Sequence, residues 1–425
     1  MPEVEVVEVR MAGRQVGALA PLAGRPGVYE FEYAPAFAAM GRELAPLQMP
    51  LAPRRYSFPA LAPETFHGLP GLIADALPDS FGNALIDEYL MRHGSRAEDI
   101  TTLQRLLYVG RHAMGALEFE PAAGQSRSPA VAVPLQIGQL VEDARRALRG
   151  ELGAVATDIL EVGSSAGGAR AKAVIGWRPG TPEVLSGQFD LPVGFEHWLL
   201  KFDVGVDGRL GQSAGFGRIE YAHYRMATAA GITMSPCQLL EENGRAHFMT
   251  QRFDRSGNAR RHVQTLCAMA HLDFKMPYVH SYEQYLRTVL QLGLGAEALE
   301  QAWLRCVFNV AVVNCDDHTK NLAFLMDEDG RWQLAPAYDA CFSHNPAVDR
   351  WTRQHQMQVA GKVWGITTAD LLQLARQFDV RRPQPLLARV LDALADWPSF
   401  AEHAGVPAAE IARIGALQPF GPRAN

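Results

Sequence analysis

Asn314-Cys315-Asp316-Asp317-His318-Thr319-Lys320-Asn321 crowds carboxylates, an imidazole, an ammonium and amides into one short segment. Moving a phosphoryl group to a hydroxyl needs a carboxylate to accept or orient the hydroxyl proton, and an oxygen ligand for Mg2+ close by. Both kinds of group are present. Any one of these residues alone reads as a helix cap or a polar turn; the combination is what points to chemistry.

Spacing sharpens the reading. Protein kinases carry an Asp and, five positions on, an Asn that holds metal, and Asp316 and Asn321 have that spacing. After Asn321 come two apolar runs, Leu322–Met326 and Arg331–Ala335, joined by Asp327-Glu328-Asp329-Gly330. Asp-Gly between apolar runs predicts a hairpin. Such a hairpin returns the chain to its start and carries Tyr338-Asp339 toward Asn321, where an amide oxygen and a carboxylate converge on one hard cation. Lys201 closes the strand pattern Trp198-Leu199-Leu200, the place for a lysine that meets phosphates, although a surface lysine at a strand end reads the same way; Glu220 on the next helix is its candidate acid partner. The run Gly163–Gly168 is a Gly/Ser-rich loop able to wrap backbone N–H groups around phosphate, or simply a surface loop. It is not a Walker A sequence, since Ala169 stands where lysine belongs, but Lys172 follows closely. His318 and Lys320 have no spaced histidine partner, so zinc is not expected and contact with phosphate is.

These residues need elements to hold them. Alternation over Val4–Val9, Gln15–Leu19 and Val28–Tyr33 predicts strands. Helical patterns lie near 65–95, 101–109, 135–148 and 218–230; strands are expected at 173–177, 198–202 and 248–253; from about Gln284 the chain is mostly helical. A Pro/Ala/Gly/Ser-rich stretch from Pro121 to about Pro134 reads as a linker. With 425 residues, more than one core is expected. Hydrophobic content of 48% and charged content of 20% suit a globular chain. The net charge of −6 gives the whole molecule no electrostatic reason to seek DNA or an anionic membrane. The five cysteines show no CxxC pair, which disfavours a zinc ribbon or disulfide framework and favours a reducing compartment. MPEVEVVEVR has no apolar stretch of a secretory signal and no run reaches membrane-spanning length, so a cytoplasmic protein is expected.

Taken together, the motifs resemble the HipA family of Ser/Thr kinase toxins. The likeness rests on Asn314–Asn321 followed by Tyr338-Asp339, on Ser165–Lys172, on Gln251-Arg252-Phe253-Asp254-Arg255, and in the first part on Phe31–Pro35, Leu77–Ser80 and Gly110–Leu117. It implies an α+β, bilobal protein-kinase-like fold: an appended N-terminal module (1–125), a strand-rich N-lobe (126–255) and a helical C-lobe (256–425). It implies Asp316 as catalytic base, and Asn321 and Asp339 as Mg2+ ligands. ATP would be met by Ala166, Gly167, Gly168, Ala169, Lys172, Lys201, Gln251, Phe253, His318, Lys320 and Tyr338, with Gln251 and Phe253 offering backbone groups to adenine. Ser165, or its neighbour Ser164, would be the autophosphorylated serine. Partners would be a helix-turn-helix antitoxin of the HipB type, DNA only through that antitoxin, and a protein substrate of the aminoacyl-tRNA synthetase class. Ala171 departs from the acid or proline the family often carries there. Two other readings are a nucleotide-binding corepressor that acts chiefly as the antitoxin's partner, and a metal-dependent phosphohydrolase. The presence of Asp316, Asn321, Asp339 and Lys201 favours the kinase.

Overall fold

Alternating burial builds the first sheet. In β1 (Val7–Met11), Val7, Val9 and Met11 are buried while Glu8 and Arg10 are not, and β3 (Tyr29–Tyr33) repeats the pattern. With β2 (Arg14–Pro21), β4 (Arg55–Tyr56) and β5 (Leu117–Pro121) they form an antiparallel sheet in the order β4-β3-β2-β1-β5. The computed structural model describes residues 6–78, 80–122, 132–149, 151–154, 171–204, 215–347 and 351–421. The chain divides into two units: residues 1–214, 240–264 and 326–330 form one, and 215–239, 265–325 and 331–425 the other. Both strands and helices contribute, so the fold is mixed α+β.

The first unit holds a second sheet of order β7-β6-β8-β10-β9: β6 (Lys172–Trp177), β7 (Val184–Ser186), β8 (Glu196–Lys201), β9 (Cys237–Glu242, in this unit from Leu240 on) and β10 (Arg245–Gln251). All of β6 is buried. Helix Ile137–Leu148 supplies Leu140, Val141 and Ala144 to a core shared with Ile175, Trp198, Leu200 and Met249. Asn243 and Gly244 both have positive φ, the requirement of a two-residue type I′ hairpin.

One buried ionic node ties the first sheet's loop to the end of β10. Asp254 receives Arg252 through two bonds of 2.9 and 2.7 Å, Arg255 at 2.7 Å, and the Gly115 N–H at 2.7 Å. Arg260 meets Glu118 at 3.1 Å and also donates to the carbonyls of Ala113 and Gly115. Burial pushes the Asp254 carboxyl up, but Arg252 and Arg255 outweigh it and hold the group below the usual carboxylate range.

In the second unit, every residue of helix Gly295–Ala311 from Ala302 on is buried, the polar Arg305 and Asn309 among them. Its Trp303 indole donates to the Leu371 carbonyl at 3.0 Å, and Arg305 to the Ala335 carbonyl at 2.7 Å. Helices Tyr282–Gln291 and Thr368–Gln377 start at capping boxes, Ser281 with Gln284 and Thr367 with Asp370.

Most sequence expectations meet an element here. The exception is the pattern near 65–95, which is three helices, Pro63–Phe66, Gly71–Ala74 and Ser80–Arg92. The breaks fall at left-handed His67, Gly68 and Pro70, and then at Pro78, where a helix cannot continue. The strands Leu117–Pro121, Val184–Ser186 and Cys237–Glu242 were not anticipated, although Asn243-Gly244 is a hairpin signal for the last of them.

Replacing Asp254 with Asn should cost about 3–5 kcal/mol, because it leaves two guanidiniums without their buried counter-charge. The depressed carboxyl fixes the pH dependence: its stabilisation is full above the unfolded carboxyl pKa of about 3.9 and is lost as pH falls below that toward the folded value. Urea unfolding of both proteins between neutral and acid pH should show a gap that closes below about pH 4.

Candidate functional site

The buried helix Gly295–Ala311 delivers the polar loop. Its end is sharp: Val313 has φ of 55°, a left-handed conformation that is strained for a β-branched side chain. The two amides on either side of this bend bond to each other, Asn314 Nδ2 to Asn309 Oδ1 at 3.0 Å. From there the loop alternates. Asp316, His318 and Lys320 are partly exposed, whereas Cys315, Asp317 and Thr319 are buried. The adjacent carboxylates thus have different settings, with side-chain exposure of 48% for Asp316 and 0% for Asp317.

Hydrogen bonds connect the loop that carries Asp316 to the two candidate metal ligands, Asn321 and Asp339. Asn321 Nδ2 donates to the Asp316 carbonyl at 2.8 Å. A carbonyl can only accept, so the amide's orientation is fixed and its Oδ1 faces elsewhere, as an acceptor for a cation. The Asp316 N–H donates to Asn314 Oδ1 at 3.3 Å, and Asn314 Nδ2 also donates to the Asp339 carbonyl at 2.9 Å. Asp339 itself is left-handed, with φ of 51°. The hairpin between them has the expected form, strands Ala323–Met326 and Trp332–Leu334, with the Ala335 N–H on the Ala323 carbonyl at 3.1 Å. Tyr338 closes the return by donating its hydroxyl to the Lys320 carbonyl at 2.6 Å.

Phe274 carries the two basic side chains. The Lys320 ammonium lies 4.9 Å from its ring centroid, and the His318 ring 5.2 Å away. Thr319 anchors the opposite face of the loop by donating to the Leu272 carbonyl at 2.7 Å. Cys315 has no nucleophilic role, because burial and the charges of Asp317 and Asp316 push its thiol well above the usual range. The five cysteines are free thiols and four are buried.

No local pattern signals what sits beneath Asp317. Its Oδ2 accepts the Tyr282 hydroxyl at 2.9 Å and His355 Nδ1 at 3.2 Å, and its Oδ1 accepts the Gln356 N–H at 2.7 Å. His355 Nδ1 also lies 3.1 Å from the Asn314 carbonyl; facing two acceptors, it must carry the proton. Asn309 Nδ2 donates to the Tyr282 oxygen at 2.9 Å. The partners come from distant parts of the chain, so no local pattern could have named them.

Lys172, Lys201, Gln251 and Phe253 belong to the first unit. Lys172 and Lys201 are directly opposed on β6 and β8, and Lys172 is buried. Like charges placed opposite each other on a sheet repel. Lys201 also lies 5.6 Å from the Phe248 ring centroid. The Arg252 N–H bonds to the His197 carbonyl at 2.9 Å, so strand alternation turns the peptide groups of Gln251 away from β8. Glu220 is buried on helix Phe216–Ala229 of the second unit. Ser164, Ser165, Ala166, Gly167, Gly168 and Ala169 lie outside the described residues, as does Asp79 of the Leu77–Ser80 motif. Among the described residues no cluster of three or more His, Cys, Asp or Glu forms a metal-binding group, and no helix is long and apolar enough to cross a membrane.

Comparison with known proteins agrees over most of the chain. Residues 164–413 match the model of the HipA-like C-terminal domain, and residues 7–120 that of the HipA N-terminal domain. A search of curated proteins returns no match. Among solved structures, the fold is similar to a chain of the Shewanella oneidensis MR-1 toxin–antitoxin complex of HipA, HipB and its operator DNA. The TM-score is 0.65 at 15% identity, covering 96% of this chain and 94% of that one. A slighter likeness, to the Helicobacter pylori proinflammatory kinase CtkA, has a TM-score of 0.37 at 12% identity, covering 59% of this chain and 90% of the other.

Asn314 offers a direct check of the loop. Asn314→Ala should cost about 1–3 kcal/mol through lost bonds to buried partners. Asn314→Asp, though the same size, should cost more, since it points an acceptor at the oxygens of Asn309 and Asp339. Thermal unfolding ranks the two, and the reverse order would contradict this network.

Proposed function

Because the chain belongs to the HipA family, we propose that it is an ATP- and Mg2+-dependent serine/threonine protein kinase, the toxin of a type II toxin–antitoxin pair. The observation that carries the reading is the loop at 314–321: Asp316 is presented to solvent, its carbonyl holds the Asn321 amide, and Asn314 beside it holds the Asp339 carbonyl. The family's layout of 1–125, 126–255 and 256–425, with the last two as the lobes of a kinase, is part of the proposal.

Each residue then has a task. Asp316 accepts or orients the proton of the attacking hydroxyl. Asn321 Oδ1 and the Asp339 carboxylate hold Mg2+, an all-oxygen set that suits a hard cation. When bound, the metal neutralises charge on the β- and γ-phosphate oxygens. Lys172 and Lys201, side by side on β6 and β8, balance phosphate charge. Lys320 and His318, held on Phe274, and Tyr338, which fixes the Lys320 backbone, line the phosphate side. Gln251 and Phe253 offer peptide groups to adenine, and Ala166, Gly167, Gly168 and Ala169 wrap the phosphates.

We extend the proposal to partners and setting. A helix-turn-helix antitoxin of the HipB type binds the chain, which reaches DNA only through it; the support is the fold shared with a chain solved in such a complex. The substrate is a translation-related protein such as an aminoacyl-tRNA synthetase, and the setting is the cytoplasm. The corepressor reading differs in one respect: it needs nucleotide binding without transfer.

With γ-labelled ATP and Mg2+, Asp316→Asn should lower phosphotransfer by at least roughly a hundredfold while largely keeping Mg-ATP binding. Asp339→Asn should weaken Mg-ATP binding as well, because it removes a metal ligand. Wild-type transfer by Asp316→Asn would refute the base assignment; binding without any transfer by the wild type would favour the corepressor.

Autophosphorylation at Ser165, or Ser164, should switch the enzyme off. A phosphate there adds up to two negative charges beside the phosphate-wrapping N–H groups and competes with ATP. Mass spectrometry after incubation with Mg-ATP, followed by nucleotide titration of the modified form, checks this. Unmodified serines, or unchanged ATP affinity, would contradict it.

A further inference from the structure

We propose that Asp317 is a positioning residue that fixes the reactive loop and couples it to the segment around Gln356. The inference rests on the kinase reading of Asp316 and extends it to a residue given no task there.

The geometry assigns Asp317 a different kind of work from its neighbour. Its side chain is wholly buried, out of reach of any substrate. A buried carboxylate is costly unless donors surround it, and here three converge: the Tyr282 hydroxyl, the Gln356 N–H and His355 Nδ1. Tyr282 stays a donor, since burial and the Asp317 charge push its hydroxyl pKa well above the usual value. The donors also bind the loop elsewhere. His355 reaches the Asn314 carbonyl, and Tyr282 accepts from Asn309, whose own side-chain oxygen accepts from Asn314.

Gln356 joins the two acids. Its backbone N–H is on Asp317, while its side-chain amide lies 3.5 Å from Asp316 Oδ1 and donates to the Trp351 carbonyl at 2.8 Å. Residues 351–356 follow Asp339 in the chain, in the stretch where kinases carry the segment that controls activity. A shift of that segment moves the Gln356 N–H and amide together, and so moves Asp316. Asp317 makes this transmission stiff: it anchors the loop and the segment to one carboxylate that cannot turn to water.

A merely structural acid would affect stability and leave the rate of folded protein intact. Displacing a reacting group by about 1 Å can cost roughly a hundredfold in rate, so the two cases separate. Asp317→Asn keeps the shape and removes one acceptor. Tyr282→Phe removes one donor and is the milder change should Asp317→Asn fail to fold. Three measurements on the full chain decide: affinity for a fluorescent ATP analogue with Mg2+, single-turnover transfer from γ-labelled ATP to casein as probe, and amide exchange over 314–321 and 351–358. Folded Asp317→Asn should transfer at least about thirtyfold more slowly, and Tyr282→Phe about three- to tenfold, with nucleotide affinity within about threefold of wild type. Exchange should rise in both segments together. A folded Asp317→Asn at wild-type rate, or exchange rising in only one segment in both variants, would overturn the inference. If the wild type transfers no phosphate, the kinase reading fails, while the exchange arm still decides the coupling.

Discussion

A carboxylate with no exposed surface is the constraint on which the second unit's loop depends. Asp317 cannot be buried unless donors meet it, and those donors come from the helix beginning at Tyr282 and from the His355-Gln356 segment. Once the three strands of chain are so joined, the turns of the loop leave Asp316, His318 and Lys320 partly exposed while Cys315, Asp317 and Thr319 are buried. Asn314 performs the same service at the other end by bonding to Asn309 and to the Asp339 backbone. The strained turn at Val313 is tolerable because the buried helix before it and this amide pair after it fix the chain on both sides.

The first unit answers a different demand, that of holding positive charge. Lys172 and Lys201 face each other across β6 and β8, which sets two positive charges side by side on one sheet. The end of β10 is fixed by the Arg252–Asp254–Arg255 node, which the Gly115 N–H also joins. The N-terminal sheet is therefore bonded to the segment that carries Gln251 and Phe253, and changes in its 110–117 loop act on that segment directly.

What the sequence disclosed follows from the kind of physics involved. Asp316 and Asn321 stand out in the sequence because their types and fixed spacing are those chemistry would demand, and the hairpin after them was legible because Asp-Gly dictates a turn locally. The choice between Asp316 and Asp317 for burial was not determined by their neighbours, but by Tyr282 and Gln356, 35 and 39 positions away. Phe274 as the platform for Lys320 and His318 had no local signal either, since an aromatic in a loop reads as ordinary packing. By contrast, Asn243-Gly244 and the prolines at 70 and 78 were local signals, and they account for the hairpin and the broken helix that were not anticipated. The Gly-rich loop expected from composition lies outside the described residues.

The proposed function requires that Asn321 and Asp339 hold Mg2+ for a bound triphosphate. Calorimetric titration of a non-hydrolysable ATP analogue into the full chain, with Mg2+ and then with the metal chelated, tests it without any need for a substrate. The account predicts binding that weakens at least roughly tenfold when the metal is removed, because the triphosphate then loses its bridge to Asn321 and Asp339. Equal affinity in both conditions, or no binding in either, would contradict it.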